Sequence, residues 1–327
     1  MENDKMHITG VIDSPPDERD YNYGDIAAAD PNIKYPEEFR LDIPEVMRTY
    51  NQGQTNMCVS FSMSSIKQQR TKSVKRFSPL SIYGNRGAQD YPGMGMIPRQ
   101  AAAHVVNDGI AFFEDLSEIV DLPKATEIFN SRKNVLFPKM AEHKAQAYFV
   151  VNRDDIKKYL ITEKAPLFIS IPVYDSFMYT EDGIVDHYRG NYHGGHGIGI
   201  YGWTKEGRWI ILNSWGENWG DRNIGYLSQN LAIKEIIGFT DKEIILPEQH
   251  YTLYRVQCGA FKNLQYAQEL GLEIINKGVP TCLYYNEEQK LYRVQCGAYK
   301  IKANAEEMQK KLVSLGYKDC FIASVEV

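Results

Sequence analysis

Two kinds of hydrophobic pattern divide the first 240 residues of the chain. Residues 59–70 contain no Pro or Gly and place apolar side chains at 59, 61, 63 and 66, which favours a helix, and residues 101–107 have a similar helical pattern. Short apolar runs at 167–171 and 209–212 are typical of buried strands. The patterns predict a helical lobe followed by a sheet-rich lobe, with a cleft between them where ligand sites commonly lie.

The last part of the chain is an internal repeat. Tyr254 to Phe261 recurs as Tyr292 to Tyr299, an offset of 38 residues that also relates Cys282 to Cys320. Each copy contains an alternating run, an amphipathic stretch and a second short strand. Two βαβ units of this size predict a four-stranded antiparallel sheet with two helices on one face.

Composition narrows the class of protein. A chain of 327 residues exceeds what one core usually holds, so we expect two domains. No apolar run approaches the length needed to cross a membrane, and the net charge of -5 argues against a nucleic-acid partner. The first six residues lack a basic region and a hydrophobic stretch, so we expect no signal peptide.

The five cysteines predict neither disulfides nor metal. Their number is odd, and they show neither a disulfide-scaffold spacing nor a Cys-x-x-Cys pair. We therefore expect reduced thiols, no metal site and no cofactor. The four cysteines of the repeat are expected in its core, because free Cys is among the most buried residue types.

One cysteine has residues around it that suit nucleophilic catalysis. Cys58 opens the predicted helix at 59–70, where the helix dipole favours the thiolate. A thiolate that attacks a carbonyl needs an imidazole and a group that orients it, and His196 and Asn213 follow in that order, 138 and 155 residues later. Gln52 can place its amide beside the backbone N–H of Cys58 to form an oxyanion hole. A lone Cys is usually a small buried hydrophobe, but the complete set favours catalysis.

A second histidine competes for the role of base. His193 is followed by two glycines rather than by the alternation of a buried strand, so we expect it on a loop surface. The glycines around His196 indicate a backbone that lies close to a bound chain.

These segments resemble the papain-like cysteine peptidases from about residue 36 to residue 236. The most specific stretch is Asn213-Ser214-Trp215-Gly216-Glu217-Asn218-Trp219-Gly220-Asp221, and the segment from Gln52 to Cys58 carries the nucleophile. The usual Cys-Gly-Ser-Cys-Trp is here Thr55-Asn56-Met57-Cys58-Val59, so one structural cysteine and one Trp of the family are missing.

The resemblance implies an α+β, papain-like two-lobed fold and a role for each site residue. Cys58 would be the nucleophile, His196 the base, Asn213 its orienter and Gln52 the oxyanion donor. Trp215 would shield the contact between Asn213 and His196. The substrate-binding wall would comprise Gly93, Met94 and Gly95, with Met94 or Met96 in the main specificity pocket.

The repeat resembles the SPOR (sporulation-related repeat) domain over residues 251–327, because Val-Gln-Cys-Gly-Ala-Phe at 256–261 recurs almost unchanged. The resemblance implies binding to peptidoglycan, specifically to glycan strands stripped of their peptides. If Val256 and Cys258 face the helices, the opposite face can hydrogen-bond sugars and carboxylates. The residues expected there are Arg255, Gln257, Arg293 and Gln295. A merely solvated sheet face is the alternative, because any one-sided antiparallel sheet shows polar outward residues.

The chain is thus predicted to comprise an N-terminal segment at 1–35, a peptidase domain at 36–237, a linker at 238–250 and a small βαββαβ domain at 251–327. The N-terminal segment is rich in Asp, Pro and Asn and is expected to be extended. It is either a short strap across the cleft or a leader packed on the surface. We favour the leader, because the segment is short and carries no substrate-like motif.

The sequence predicts a cysteine endopeptidase that is targeted to bacterial peptidoglycan and cleaves protein or peptide substrates at the wall. We expect synthesis in the cytoplasm and action at the cell wall or after release by lysis. The alternative is a catalytically weak peptidoglycan-binding or structural factor, which is disfavoured because every catalytic position is filled. Nothing in the sequence supports a transglutaminase-like acyl transfer.

Overall fold

The structure used here is a computed structural model that describes residues 7–26, 33–87, 94–242 and 250–327. It divides into two compact units. Among the described residues, the first unit contains 7–12, 22–26, 33–85 and 95–242. The second contains 13–21, 86–87, 94 and 250–327. The N-terminal segment therefore contributes to both units.

Helices dominate the first part of the first unit. They are α1 (Tyr23–Ile26), α2 (Glu45–Arg48), α3 (Cys58–Thr71), α4 (Pro79–Tyr83), α5 (Pro98–Asn107), α6 (Lys124–Ala141), α7 (Ile156–Glu163), preceded by a 3-10 turn (Arg153–Asp155), and α8 (Asp175–Met178). The helix predicted at 59–70 is confirmed and begins one residue earlier, at Cys58. It is buried around most of its circumference and ends at Thr71, and the next residue, Lys72, caps it in a left-handed conformation.

An eight-stranded sheet forms the other part of this unit. Its strands are β1 (Phe39–Arg40), β2 (Ala147–Val150), β3 (Leu167–Tyr174), β4 (Ile184–Val185), β5 (Tyr192–Trp203), β6 (Arg208–Leu212), β7 (Ile224–Ser228) and β8 (Glu235–Thr240). The strand order is β2-β8-β3-β5-β6-β7-β4, with β1 paired to β5. The central strand β5 is almost wholly buried, and α3 packs against it. This packing brings the start of α3 beside residues 196 and 197.

Strand β8 extends past the predicted end of the peptidase domain. Gly238 pairs with Phe149, and Thr240 pairs with Ala147, so residues 238–240 lie in the sheet and not in the linker predicted to begin there. At Gly238 the ring of Tyr159 occupies the space where a side chain would lie. The central part of the predicted linker, 243–249, lies outside the described residues.

The second unit contains the repeat, and its predicted topology is confirmed. Its elements are β9 (Thr252–Phe261), α9 (Leu264–Asn276), β10 (Cys282–Asn286), β11 (Leu291–Tyr299), α10 (Lys302–Ser314) and β12 (Phe321–Glu326). The sheet is antiparallel with the order β10-β11-β9-β12. Apolar side chains of both helices pack on Val256 and Val294 of the sheet. Cys258, Cys296 and Cys320 belong to this core, and the sulfur atoms of Cys258 and Cys296 lie 3.5 Å apart.

Within the described ranges, no helix is both long enough and apolar enough to cross a bilayer.

Candidate active site

Cys58 is the first residue of α3, and its side chain is fully buried. The N–H groups of the first helical turn have no partners within the helix and form the positive end of its dipole. The backbone N–H groups of Gly197 and Gly10 lie within hydrogen-bonding reach of the thiol. The position therefore suits a group that becomes negatively charged during a reaction.

His196 lies in β5 and is oriented by Asn213, which follows β6. Nε2 of His196 lies 2.7 Å from Oδ1 of Asn213. The same oxygen accepts the backbone N–H of Ser214 at 2.8 Å, which fixes the amide orientation. Because Oδ1 can only accept, Nε2 must carry the proton, and the buried Nδ1 has no hydrogen-bond partner among the described residues. That nitrogen is free to exchange a proton with a thiol.

Trp215 covers the imidazole. Its ring stacks on His196 with 4.5 Å between ring centroids and is only 3% exposed. Trp219 lies edge-on to Trp215 at 5.9 Å and donates its indole N–H to the backbone oxygen of Phe177. Trp215 thus excludes water from the face of the imidazole, whereas Trp219 supports Trp215 from the core.

Gln52 is held so that its amide N–H points into the cleft. Its Oε1 accepts the hydroxyl of Ser214 at 2.7 Å, and its backbone N–H donates to the oxygen of Ser214 at 2.8 Å. Its Nε2 donates to the oxygen of Thr55 at 2.7 Å and to that of Ile8 at 3.1 Å. Ser214 therefore positions Gln52, while the adjacent Asn213 positions His196. Sequence reasoning gave Ser214 no role, although it lies inside the most specific motif.

Residues 7–12, here called the cleft segment, run through this site. The N–H groups of Gly10 and Val11 donate to the oxygen of Gly195 at 3.2 and 3.0 Å. On the other side, Ile12 donates to the oxygen of Met96 at 3.0 Å, and Met96 donates to the oxygen of Gly10 at 2.8 Å. The expectation that the N-terminal segment packs on the surface is wrong for these residues. The cleft segment contributes mainly its own main-chain N–H and C=O groups to these contacts, so no side-chain motif indicated them.

Side-chain contacts in the first half of the cleft segment complete its docking. The ring of His7 stacks on Trp215 at 4.4 Å, nearly parallel to it. Thr9 donates its hydroxyl to the oxygen of His193 at 2.7 Å, and its own oxygen accepts Nδ2 of Asn56 at 2.6 Å. A Cβ at Gly10 would lie 2.2 Å from the backbone oxygen of Asn56, so only glycine fits there.

The predicted substrate wall is only partly placed. Gly93 lies outside the described residues, and Met94 is half-exposed and groups with the second unit. Gly95 has a left-handed φ of 95° and leads into Met96, which is fully buried and pairs with the cleft segment. Of the two methionines proposed for the specificity pocket, Met96 is therefore the one beside the bound backbone.

His193 was expected on a loop surface, but it is part of strand β5. Its Nε2 lies 2.5 Å from Oδ1 of Asp175, so its imidazole pairs with a carboxylate, whereas that of His196 pairs with Asn213. Two glycines interrupt the alternation that would have indicated the strand, and one of them, Gly194, has a φ of 111°.

The family profile of papain family cysteine proteases matches residues 40–244. The chain belongs to this family. A second profile, that of the SPOR domain, matches residues 251–324.

Individual relatives share only short stretches with this papain-family chain. A cathepsin B-like cysteine proteinase of Schistosoma japonicum is 35% identical over 82 residues, which are 24% of this chain and 24% of that protein. A gut-specific cysteine proteinase of Caenorhabditis elegans is 41% identical over 64 residues, or 19% and 20% of the two chains. The chain therefore spans a quarter or less of the length of these two relatives.

Solved structures share the papain-family fold over a larger part of the chain. Xylellain, a cysteine protease from Xylella fastidiosa, has a TM-score of 0.61 at 18% identity and covers 74% of this chain and 99% of its own. The proCathepsin B S9 from Trypanosoma congolense has a TM-score of 0.54 at 18% identity, with coverages of 72% and 87%. The predicted α+β papain-like fold is confirmed.

The electrostatics of the papain-family site favour uncharged groups while the cleft segment is present. Burial raises the pKa of Cys58 to about 11, although the nearby N–H groups oppose the shift. Burial lowers the pKa of His196 to about 4; the bond to Asn213 opposes this change, and the proximity of His7 adds to it. Between these values the site holds a neutral thiol and a neutral imidazole.

The face of the SPOR domain predicted to bind glycan is more buried than expected. Gln257 and Gln295 are cross-strand partners, and they are only 6% and 9% exposed. The guanidinium of Arg255 lies over the ring of Tyr284 at 5.7 Å, and Arg293 donates to Gln289 at 2.8 Å. The two arginines therefore have partners within the domain.

Within the part of the chain that the structure describes, no three His, Cys, Asp or Glu side chains are grouped so as to hold a metal ion.

Proposed function

We propose that this chain is a latent cysteine endopeptidase of the bacterial cell wall. In this proposal, Cys58 and His196 hydrolyse peptide bonds, and the SPOR domain holds the enzyme on the glycan strands of peptidoglycan. The substrates are peptides or proteins at the wall, and the tether raises their encounter rate with the active site.

The reaction starts when Nδ1 of His196 takes the proton of Cys58. The thiolate attacks the substrate carbonyl carbon, and a C–S bond forms while the oxygen becomes an oxyanion. Gln52 Nε2 and the backbone N–H of Cys58 donate to that oxygen. The imidazolium of His196 then protonates the leaving amine, and the C–N bond breaks to give a thioester.

Water completes the cycle. Neutral His196 accepts a proton from the water as it attacks the thioester, and the acid product leaves as the Cys58 thiol re-forms. Asn213 keeps the imidazole in the tautomer that both steps require, because its Oδ1 accepts the Nε2 proton throughout. The net change is the addition of one water across one peptide bond.

The observation that carries this proposal is the peptide backbone held in the cleft. Gln52 donates its amide N–H to a peptide oxygen of the cleft segment, that of Ile8, which supports the role of oxyanion donor proposed for it. The thiol, however, faces the N–H of Gly10, which belongs to a different peptide group. Nucleophile and oxyanion donor therefore act on separate groups, which favours the cleft segment as an inhibitor and not as a substrate.

Two features support wall targeting. The SPOR profile covers most of the second unit, and residues 251–327 contain ten basic and eight acidic residues, a net charge of +2 that suits an anionic polymer. The basic side chains Arg255 and Arg293 lie on neighbouring strands, at the middle of the sheet.

The proposal is tested by incubating the full-length chain with intact sacculi and with a mixed peptide library, followed by mass spectrometry of the cleaved bonds. Cys58→Ala provides the matched control. We expect new peptide termini with the native chain and none with the variant, together with sedimentation of both proteins with amidase-treated sacculi. Sedimentation without cleavage by the native chain, even when the cleft segment is deleted, would instead support a wall-binding factor.

A further inference from the structure

Residues 13–21, here called the acidic strap, dock on the SPOR domain as an additional strand. The N–H of Ala298 in β11 donates to the oxygen of Pro16, and the N–H of Glu18 donates to the oxygen of Ala298, both at 2.9 Å. Asp17 is thereby the parallel bridge partner of Ala298. The chain adds to a sheet edge through main-chain hydrogen bonds, a common mode of peptide recognition.

The edge is available because β10 is shorter than β11. Pairing with β10 reaches Gln295 and goes no further, whereas β11 continues to Tyr299. The register against β9 shifts between Gln295 and Ala298, which is the mark of a bulge. The N–H and C=O groups of Ala298 therefore point away from β9 and form hydrogen bonds with the acidic strap.

Glu18 anchors the acidic strap at the start of α10. Its carboxylate accepts the N–H of Lys300 at 2.6 Å and that of Ile301 at 3.3 Å, and it accepts Nδ2 of Asn304 at 2.8 Å. Ile301 is the N-cap residue of α10, so the carboxylate also lies at the positive end of that helix. These are charge-assisted hydrogen bonds, the stronger kind.

The acidic strap lies beside a residue predicted to bind glycan. Ala298, the bridge partner of Asp17, is also the cross-strand partner of Arg255 in β9. Asp17 in turn forms an ion pair with Arg19, with atoms 2.6 Å apart. The acidic strap contains four acidic residues and one basic residue, and the SPOR domain binds one of its carboxylates, that of Glu18, at the start of α10. A glycan strand stripped of its peptides also presents carboxylates, because hydrolysis of each lactyl amide leaves one.

The acidic strap and the cleft segment are consecutive stretches of chain. Ile12 makes the last contact of the cleft segment with Met96, and Asp13 begins the acidic strap. After the acidic strap, Asn22 is paired with Val150 in the peptidase unit. While the acidic strap is docked, the nine residues between Ile12 and Asn22 are held in one conformation. When the acidic strap is free, a flexible stretch of nine residues joins the cleft segment to Asn22.

We propose that peptide-free glycan strands and the acidic strap compete for one face of the SPOR domain, so that glycan binding loosens the cleft segment and activates the enzyme. This inference rests on the proposed function, since it requires both hydrolysis and glycan binding. A ligand that binds only when the acidic strap is released shifts the population toward the open cleft.

The size of the activation follows from the length of chain that is set free. When the acidic strap is free, its nine residues must close a loop before the cleft segment can re-dock. The entropy of loop closure makes this docking less favourable by on the order of tenfold. We therefore expect saturating glycan to raise hydrolysis of a small soluble peptide by about tenfold, with no contact between glycan and substrate.

The test uses the full-length chain, a fluorogenic peptide and soluble glycan strands from amidase-treated sacculi. Chitin oligosaccharides are the matched control ligand, because they share the backbone sugar but lack the carboxylate. Binding is measured separately by sedimentation with amidase-treated sacculi. We expect activation by the glycan strands and not by the chitin oligosaccharides.

Two variants loosen the same contact from opposite sides. Glu18→Gln and Asn304→Ala should each raise the rate without glycan by about fivefold, because they weaken charge-assisted hydrogen bonds. Both should reduce the further activation by glycan. Glu307→Gln makes the same charge change as Glu18→Gln at an exposed position of α10 and should behave like the native chain. Agreement between the two strap variants separates release of the acidic strap from a folding defect.

The outcomes distinguish the two proposals. If the chain sediments with the sacculi but glycan strands leave its rate unchanged, competition is overturned and wall targeting stands. If it does not sediment, glycan targeting fails and the competition proposal falls with it. Equal activation by chitin oligosaccharides, or unchanged basal rates in both strap variants, would also overturn the competition.

Discussion

The cleft segment and the acidic strap are neighbours in the chain, yet they dock by different means. The cleft segment pairs through main-chain groups with Gly195 and Met96, and its tightest point is a glycine. The acidic strap makes two main-chain bonds and relies on the carboxylate of Glu18. Docking in the cleft should therefore depend on shape, whereas docking on the SPOR domain should depend on charge and weaken with salt.

The largest effect should come from removing the nucleophile without disturbing either docking mode. Cys58→Ala should lower peptide hydrolysis by more than about a thousandfold, because no other group can form the thioester. Peptide turnover and iodoacetamide labelling measure this effect. Cys282→Ala, in the SPOR domain, should retain native turnover. Labelling of another cysteine in preference to Cys58, once the cleft segment is deleted, would contradict the assignment.

The next largest effect concerns the sheet of the SPOR domain. Gln257 and Gln295 are buried, so replacing both by Glu places carboxylates where water cannot solvate them and should destabilise the SPOR domain by about 3 kcal/mol. Urea unfolding of the full-length chain measures the change. Gln289→Glu, at an exposed position beside Arg293, is the control that should unfold like the native chain. An unchanged midpoint in the double variant would show that this face tolerates charge.

A smaller effect should come from changing the shape of the cleft segment. Gly10→Ala would place a methyl group against the backbone oxygen of Asn56, so docking should weaken and the basal rate should rise by about tenfold. Initial rates with a fluorogenic peptide measure this. Asp25→Ala, at an exposed position of the same N-terminal segment, should leave the rate unchanged. If Gly10→Ala hydrolysed the peptide at the same rate as the native chain, inhibition would not depend on the shape of the cleft segment.

The smallest effect should be a shift with pH. Burial lowers the pKa of His196 to about 4 and also lowers that of His7, which stacks on Trp215. With the segment released, both imidazoles take up protons from about pH 6.5 downward. In the docked state, His196 stays neutral until about pH 4, and burial also holds the pKa of His7 below its ordinary value. Docking therefore weakens as the pH falls through this window.

The measurement is the activity of the native chain divided by that of Gly10→Ala at each pH, since the ratio cancels the titration of the catalytic groups. It should rise by about threefold between pH 6.5 and pH 4.5. A ratio that stays constant or falls would show that protonation does not drive release.

The difference between contacts made by side chains and contacts made by the main chain explains which parts of the site the sequence could predict. Cys58, His196, Asn213 and Gln52 could be proposed as catalytic residues from the sequence, because the chemistry needs particular side chains at particular places. Main-chain hydrogen bonds need none, so the sequence His-Ile-Thr-Gly-Val-Ile at 7–12 gave no indication that it fills the cleft. The glycine at 194 was misleading for a related reason. It suggested a loop, but a strand accepts a glycine where another group lies close to its backbone.

The order of synthesis gives the cleft segment a further consequence. Thr9 contacts His193, which lies 184 positions later in the chain, and the site also requires Asn213 from beyond that point. The residues of the cleft segment have therefore left the ribosome long before the second half of the site is made, since domains emerge N-terminus first. If the enzyme is latent as proposed, the segment that would inhibit it is already synthesised when the catalytic groups assemble, so a newly made chain would not need a separate inhibitor.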